Sequence, residues 1–362
     1  MKVAIVHDLL LEYGGSERVL DALLKIFPDA DIYTFYYNKS EAFLSKYSTN
    51  LVGTSFLSNI PFLYLLGGLF SITKLFSWIY YLFLDLRKYQ VVITSSHSYN
   101  SKLVRQITGL HIGYFHTVPR YLYGDFHELE WINRFPISIL FYPIKLSLRF
   151  IDKWGAQQPD LIFANSVRTK TNIQKIYGRK SVLLYPPILT KHSTPKSKRY
   201  FVTQSRLVRQ KGLELIIRVC TKHQLPLIVV GDGYYRSKLE RIAGKSIIFL
   251  GAIPDDQLDA VYEHAFALLY AAHADDFGLV PVEALYRGIP IVGYYTGGMK
   301  EILNDTKNGI AFYTYSERGL LKAINRLLNS KISLKECRDS VQKFSYSYFK
   351  RTFLESIKNY EY

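Results

Sequence analysis

Between Asp275 and Glu301 the chain reads DDFGLVPVEALYRGIPIVGYYTGGMKE. Carboxylates gather there around a glycine at the start of a short apolar helix pattern. Asp275 and Glu283 stand eight positions apart, and Pro281 between them suits the first turn of a helix over PVEALYRG, where the donor it lacks would go unused. Such a start leaves the amides of Gly278, Leu279 and Val280 without partners inside the helix, ready for an anion or a hydroxyl. Carboxylates repel phosphate but accept hydrogen bonds from hydroxyls. The combination suits a polyol beside a phosphate, as in a sugar nucleotide. SRLVRQKG supplies Arg206 and Lys211 just past a strand pattern. Two cations there can neutralise a diphosphate, Arg with a fork of donors and Lys as a point charge; a solvated basic loop explains the same residues. Gly14 and Gly15 lie between the first strand and its helix, where backbone can approach a ligand closely; a plain tight turn accounts for them as well. No GxGxxG is present, which argues against a dinucleotide oxidoreductase.

These residues need elements to hold them. Met1–Asp8 is rich in Val and Ile, as a buried parallel strand is. EYGGSER follows, then a helix over SERVLDALLKIF with Val19, Leu20, Leu23, Leu24 and Phe27 at helical spacing and Ser16 as its N-cap. VVITSS, HIGYFHT and DLIFANS read as further strands. SVLLYPPILTKHSTPKSKRY ends a strand, turns polar and carries three prolines, the composition of a linker. Beyond it strand and helix alternate again: YFVTQSRL, GLELIIRVC, PLIVVGDG, SIIFLG, DQLDAVYEHA, ALLYAA, PVEALYRG, IPIVGY. Two runs of alternating strand and helix predict an α/β protein of two doubly wound domains with a cleft between them, ligands at the carboxyl ends of the strands.

Composition agrees. A chain of 362 residues exceeds one comfortable core, so two domains are expected. Charged and apolar fractions are those of a globular protein. Cys220 and Cys337 form neither a CxxC nor a metal-ligand spacing, which fits a reducing compartment. The start lacks the basic, apolar and cleavage regions of a signal peptide, so a cytoplasmic location is expected. The formal net charge of +16 suits nucleic acid, an acidic membrane surface or a phosphorylated substrate, or serves solubility alone. Leu57–Leu86 is strongly apolar and aromatic, but Pro61, Gly67-Gly68 and Lys74 interrupt it. It reads as a membrane span, as an in-plane helix flanked by Arg87 and Lys88, or as core. FPISILFYPIKLSLRFIDKW (135–154), with Lys145, Arg149 and Lys153 among bulky apolar residues, is a second membrane-contact candidate.

Taken in order, these motifs resemble the retaining glycosyltransferases of family 4, which have the GT-B fold. DDFGLVPVE matches that family's acid, seven residues, then Glu; SRLVRQKG matches its Gly-Arg-Leu and Lys-Gly element. The GDG turn at Gly231–Gly233, FLG, the pair Gly297-Gly298, and in the first half GGSERV, HTVPRYLYG, ANS and YPPI complete a match along nearly the whole chain. Two positions depart from it: Asp275 stands where Glu is usual, and Ser205 where Gly is usual. The resemblance implies a GT-B protein with a Rossmann-like acceptor-side domain over residues 1–189 and a donor-binding domain over 190–344. A last helix at about 345–362 would cross back to the first domain. It implies that Arg206 and Lys211, with Gly14 and Gly15, hold the donor diphosphate. The GDG turn with Gly231 belongs to the same side, and Ile253 after FLG packs the base. Asp275 would contact the transferred sugar, Phe277 to Val280 would give backbone donors, and Glu283 would hold the ribose. His116, in YFHTVPRY, would lie beside the donor sugar and support transfer.

The expected activity is retaining transfer of a hexose, mannose or glucose, from a GDP- or UDP-sugar to a lipid-linked or cell-surface glycan at the membrane surface. HTVPRYLYG resembles polysaccharide mannosyltransferases. No cofactor, metal or nucleic-acid partner is expected. Asp29-x-Asp31 resembles a metal-binding DxD, but it precedes a strand where such a motif should follow one, and we read it as a turn. Three other readings remain at this point. They are a sugar-nucleotide-binding protein without transferase activity, a GT-B epimerase, and a basic nucleic-acid-binding protein, although no recognition module is evident.

Overall fold

In the computed structural model the described residues are all except 12, 39–45, 61–76, 98–99, 106, 124–136, 191–195, 197–198, 274 and 361–362, with side chains also undescribed at 137–141. Most of the apolar run Leu57–Leu86 therefore lies outside the described residues, as does part of the linker. Among the described residues, no helix is long and apolar enough to cross a membrane.

The chain forms two compact units, one of Met1–Pro186 with Lys350–Tyr362 and one of Pro187–Phe349. The first is built on a seven-stranded sheet in the order β3-β2-β1-β4-β5-β6-β7. Its strands are β1 (Val3–His7), β2 (Asp31–Thr34), β3 (Leu51–Thr54), β4 (Val91–Ser96), β5 (Leu110–Phe115), β6 (Leu161–Ala164) and β7 (Val182–Leu183). Every neighbouring pair is parallel. Parallel strands covered on both faces need apolar sequence, and Val3–Val6 and Val91–Ile93 supply it, while the polar His7 and Thr94–Ser96 at the carboxyl ends are buried as well. The first helix runs Gly15–Ile26 with Val19, Leu20, Ala22 and Leu23 buried. Its N-cap lies two residues earlier than the sequence suggests. Gly14, not Ser16, is the N-cap, because the Glu17 carboxylate reaches back to the Gly14 amide and the Ser16 hydroxyl turns to that same carboxylate.

The second unit holds a six-stranded, all-parallel sheet in the order β10-β9-β8-β11-β12-β13. Its strands are β8 (Tyr200–Gln204), β9 (Leu227–Val230), β10 (Ile247–Gly251), β11 (Ala265–Tyr270), β12 (Ile291–Tyr294) and β13 (Gly309–Phe312). Leu213–Lys222 and Glu317–Leu328 pack their apolar stripes on it, burying Leu215, Ile216, Val219, Leu320, Ile324 and Leu327 with Val229, Leu269 and Val292. In each sheet the strand order reverses beside the first strand, between β1 and β4 and between β8 and β11. Crevices at such switch points, at the carboxyl ends of the strands, are where doubly wound sheets bind ligands. The last helix, Tyr346–Tyr360, joins the first unit from Lys350 onward. There the Phe353 ring stacks on Phe163 at 5.1 Å and meets Phe27 edge-on at 6.2 Å.

Candidate active site

In the second unit the residues singled out by sequence meet at the β8/β11 switch point. β8 ends at Gln204 and leads into Ser205 and the exposed Arg206. A single helical turn over Arg209–Lys211 then delivers Lys211. From the other side β11 ends at Tyr270, and the loop after it carries Asp275. Lys211 Nζ lies 2.7 and 2.8 Å from the two carboxylate oxygens of Asp275, and the Tyr270 hydroxyl donates to the same carboxylate. The pair is about one-fifth exposed on each side. Lys211 is thus a cation already oriented toward the carboxylate that the sequence assigns to a sugar.

The loop itself is fixed at both ends. The Gly298 amide donates to the Asp275 carbonyl at 3.1 Å, and the Phe277 ring turns inward against Phe344 at 5.2 Å. Phe277 therefore presents only backbone. Gly278 caps the following helix at φ +95°, a left-handed conformation that glycine adopts without steric cost. The helix runs Leu279–Tyr286, so the Leu279 and Val280 amides belong to its first turn and Pro281 occupies a position where no intrahelical donor is needed. Glu283 follows on the same helix and is 1 % exposed.

Gly231 lies at the end of β9 at φ +119°, and a Cβ there would come within 1.9 Å of the Ser205 carbonyl oxygen. The GDG turn is pressed against the start of the Arg206 loop. Asp232 carries the neighbouring Leu207 amide on its carbonyl at 2.8 Å. Ile253 sits two residues past β10, the edge strand, and is partly exposed. Three strands' ends thus carry the Arg206–Lys211 loop, the Gly231 turn and the Asp275–Glu283 segment together, with Ile253 at their outer side.

The remaining predicted residues belong to the first unit. His7, Ser95 and His116 stand at the carboxyl ends of β1, β4 and β5; His7 pairs with Ser95 in register, and the His116 amide donates to the Ser96 carbonyl at 2.9 Å. Gly14 and Gly15 open the helix beside them. The Gly14 amide is taken by Glu17 at 2.9 Å, which leaves the Gly15 amide in the helix's first turn. His116 is 6 % exposed. Burial, and behind it the neighbouring His97 and His7, hold its pKa well below the ordinary histidine range, so the ring is neutral. Burial raises the Glu17 pKa, but the hydrogen bond and charge of His7 and the bonds from backbone and Ser16 outweigh it and leave Glu17 below its usual value. His7, Glu17 and Ser95 escaped sequence reading because each lies in an ordinary strand or helix pattern. Only the strand register brings them to His116. Asp29 lies in the turn before β2, and Asp31 opens that strand.

Comparison with known proteins adds to this geometry. Residues 185–344 match the family described as Glycosyl transferases group 1. Over 133 residues the chain is 31% identical to an uncharacterized glycosyltransferase of Methanocaldococcus jannaschii, covering 34% of each chain. Over 166 residues it is 26% identical to a sulfoquinovosyl transferase of Arabidopsis thaliana, covering 43% of this chain and 32% of that one. The matches span about a third of the length of these curated relatives. Among solved structures, HepE of Anabaena in complex with UDP superposes with a TM-score of 0.71 at 17% identity, covering 99% of this chain and 100% of that one. Sucrose-phosphate synthase of Thermosynechococcus elongatus gives 0.73 at 15% identity, with 99% of each chain covered. The whole chain has the GT-B fold of two Rossmann-like units, and the segment holding Arg206, Lys211, Asp275 and Glu283 is the one that matches the group 1 glycosyl transferases.

Proposed function

We propose that the protein is a glycosyltransferase of the retaining, family 4 type. It moves a hexose from a nucleoside diphosphate sugar to a glycan or lipid-linked acceptor. The observation that carries this reading is the Lys211–Asp275 pair beside the Gly278–Val280 helix start. One cation, a row of amides and one carboxylate lie within a single loop cluster, as a phosphate next to a polyol requires. That HepE has been solved with UDP and with UDP-glucose supports a nucleotide-sugar donor.

As the donor's glycosidic bond breaks, negative charge develops on the departing diphosphate. Lys211, Arg206 and the amides of Gly278, Leu279 and Val280 stabilise it. Asp275 accepts hydrogen bonds from the sugar's hydroxyls, Glu283 holds the ribose, and Ile253 packs on the base. The Gly15 amide and the neutral His116 are the groups of the first unit assigned to substrate. Attack comes from the face that the diphosphate leaves, and the departing phosphate takes the acceptor's proton. The chain's own cations thereby do the work a metal would do.

Residues 142–154 support an acceptor at a membrane surface. In the helix Ile137–Gly155, Tyr142, Leu146 and Phe150 recur every four residues and are exposed by 61%, 45% and 74%, with Lys153 on the same side. An exposed apolar stripe with basic residues suits an interfacial helix. The test is a panel of UDP-, GDP- and ADP-sugars in the presence of EDTA, read by binding and by release of the nucleoside diphosphate. Turnover of one donor supports the reading. Binding without turnover, toward either water or lipid-linked acceptors, would instead favour a sugar-nucleotide-binding protein.

A further inference from the structure

We propose that Glu17, His7 and Ser95 form a directed hydrogen-bond chain that fixes the tautomer of His116, leaving its Nδ1 a bare acceptor for a substrate hydroxyl. This rests on the glycosyltransferase reading for the identity of the hydroxyl, but not for the chain itself.

The atoms run in series. His7 Nε2 lies 3.4 Å from Glu17 Oε1, His7 Nδ1 lies 3.0 Å from Ser95 Oγ, and Ser95 Oγ lies 2.9 Å from His116 Nε2. All four side chains are buried: His7 to 1%, Glu17 to 5%, Ser95 to 0% and His116 to 6% exposure. Only one end is chemically fixed. A carboxylate accepts and does not donate, so His7 must present Nε2–H to Glu17. When His7 carries one ring proton, its lone pair is on Nδ1 and takes the Ser95 hydroxyl proton. The Ser95 oxygen in turn takes the Nε2–H of His116. That leaves the His116 lone pair on Nδ1, which has no hydrogen-bond partner among the described residues. The Tyr114 and His97 rings flank the imidazole, with centroids at 4.9 and 6.1 Å, and hold its plane.

The fixed end is itself locked. The second carboxylate oxygen of Glu17 accepts the Gly14 amide at 2.9 Å and the Ser16 hydroxyl at 3.0 Å. The helix cap of the glycine loop and the histidine chain share one carboxylate. His7, Ser95 and Glu17 are accordingly positioning residues, and His116 is the group that meets substrate.

Glu17→Gln makes the proposal sharp. Its single oxygen stays with the two donors of the cap, so its NH2 group faces His7 Nε2. His7 must then accept at Nε2 and donate from Nδ1, Ser95 donates to His116 Nε2, and the His116 proton moves to Nδ1. The experiment is long-range 1H–15N NMR of the histidine rings in wild type, Glu17→Gln and Ser95→Ala. His116 is assigned by its loss in His116→Gln. The expected result is the Nε2–H tautomer in wild type, the Nδ1–H tautomer in Glu17→Gln, and a mixture in Ser95→Ala. Nδ1–H in wild type, or an unchanged tautomer in both variants, would overturn the chain. Turnover with the best donor of the panel is measured in parallel, and there we expect lower kcat with little change in nucleoside diphosphate affinity for both variants. A chain seen by NMR with no turnover in any variant would count against the glycosyltransferase reading and leave the tautomer assignment standing. Normal kcat in Glu17→Gln with a reversed tautomer would overturn the assigned role of Nδ1.

Discussion

At the residue scale the site is held by a competition. Lys211 binds Asp275 with both carboxylate oxygens, yet the proposed chemistry asks Lys211 to bind phosphate. An ion pair that water still reaches, about one-fifth exposed on each side, contributes on the order of 1 kcal/mol, so a diphosphate can take the ammonium from Asp275 at small cost. Asp275→Asn removes the competing charge. We expect UDP or GDP, measured by calorimetry, to bind about 2- to 5-fold tighter, while sugar transfer falls because the amide no longer matches the sugar's hydroxyls. Weaker nucleotide binding in that variant would show that Asp275 orients Lys211 rather than competing for it. Gly231 marks a different limit. Its φ of +119° and the Ser205 carbonyl 1.9 Å from any added Cβ predict that Gly231→Ala lowers stability by at least about 1 kcal/mol, read by chemical denaturation. Both acids, the Lys and this glycine are visible in the sequence because their types and spacing follow the local turn. The Lys211–Asp275 bond is not visible, since 64 positions separate them and only the β8–β11 pairing brings them together.

Elements carry the second layer. The starts of β4 and β10, and the presence of the helix after the Asp275 loop, follow from apolar runs and glycine punctuation. Helix starts were less legible. The Gly15–Ile26 helix begins at a glycine because the side chain of Glu17, three residues after the N-cap Gly14, takes the Gly14 amide, and a propensity reading favours Ser16. In the final helix Phe353 is 0% exposed, set between Phe163 and Phe27 of the first unit. Phe353→Ala should cost about 3–5 kcal/mol, seen as a lower denaturation midpoint. A change within experimental error would mean that the helix does not depend on this contact. In β5, burial holds the His111 pKa down at about 3, the neighbouring Arg179 adding to it against a raising hydrogen bond. Neutral when folded, it binds its proton near pH 6.5 when unfolded. The unfolded state then takes up more protons as pH falls from about 6.5 toward 3, and stability drops across that window. A His111→Gln variant that still folds should show a shallower decline; an equal slope would assign the loss to other groups.

For the whole molecule, the charge of +16 and the exposed stripe of Tyr142, Leu146 and Phe150 are the features that the proposed membrane partner would use. We expect the protein to bind vesicles containing phosphatidylglycerol, to release them as salt rises, and to bind several-fold more weakly as Phe150→Asp, a loss that burial of an aromatic side chain worth about 1.5–3 kcal/mol allows. Equal binding to neutral vesicles, or none, would leave the charge to solubility. Two doubly wound sheets were legible in advance because each repeats the alternation of strand and helix. The histidine chain was not, because it depends on which strands are neighbours.

The account turns on Lys211 meeting a donor diphosphate. The decisive measurement is the initial rate of nucleoside diphosphate release from the preferred sugar nucleotide, with EDTA present, for wild type and Lys211→Ala. We predict metal-free turnover in the wild type and a loss of about 10²–10³-fold in the variant, the cost of removing one fixed donor from the developing charge. Equal rates in the two proteins, or turnover that disappears with EDTA in the wild type, would contradict it.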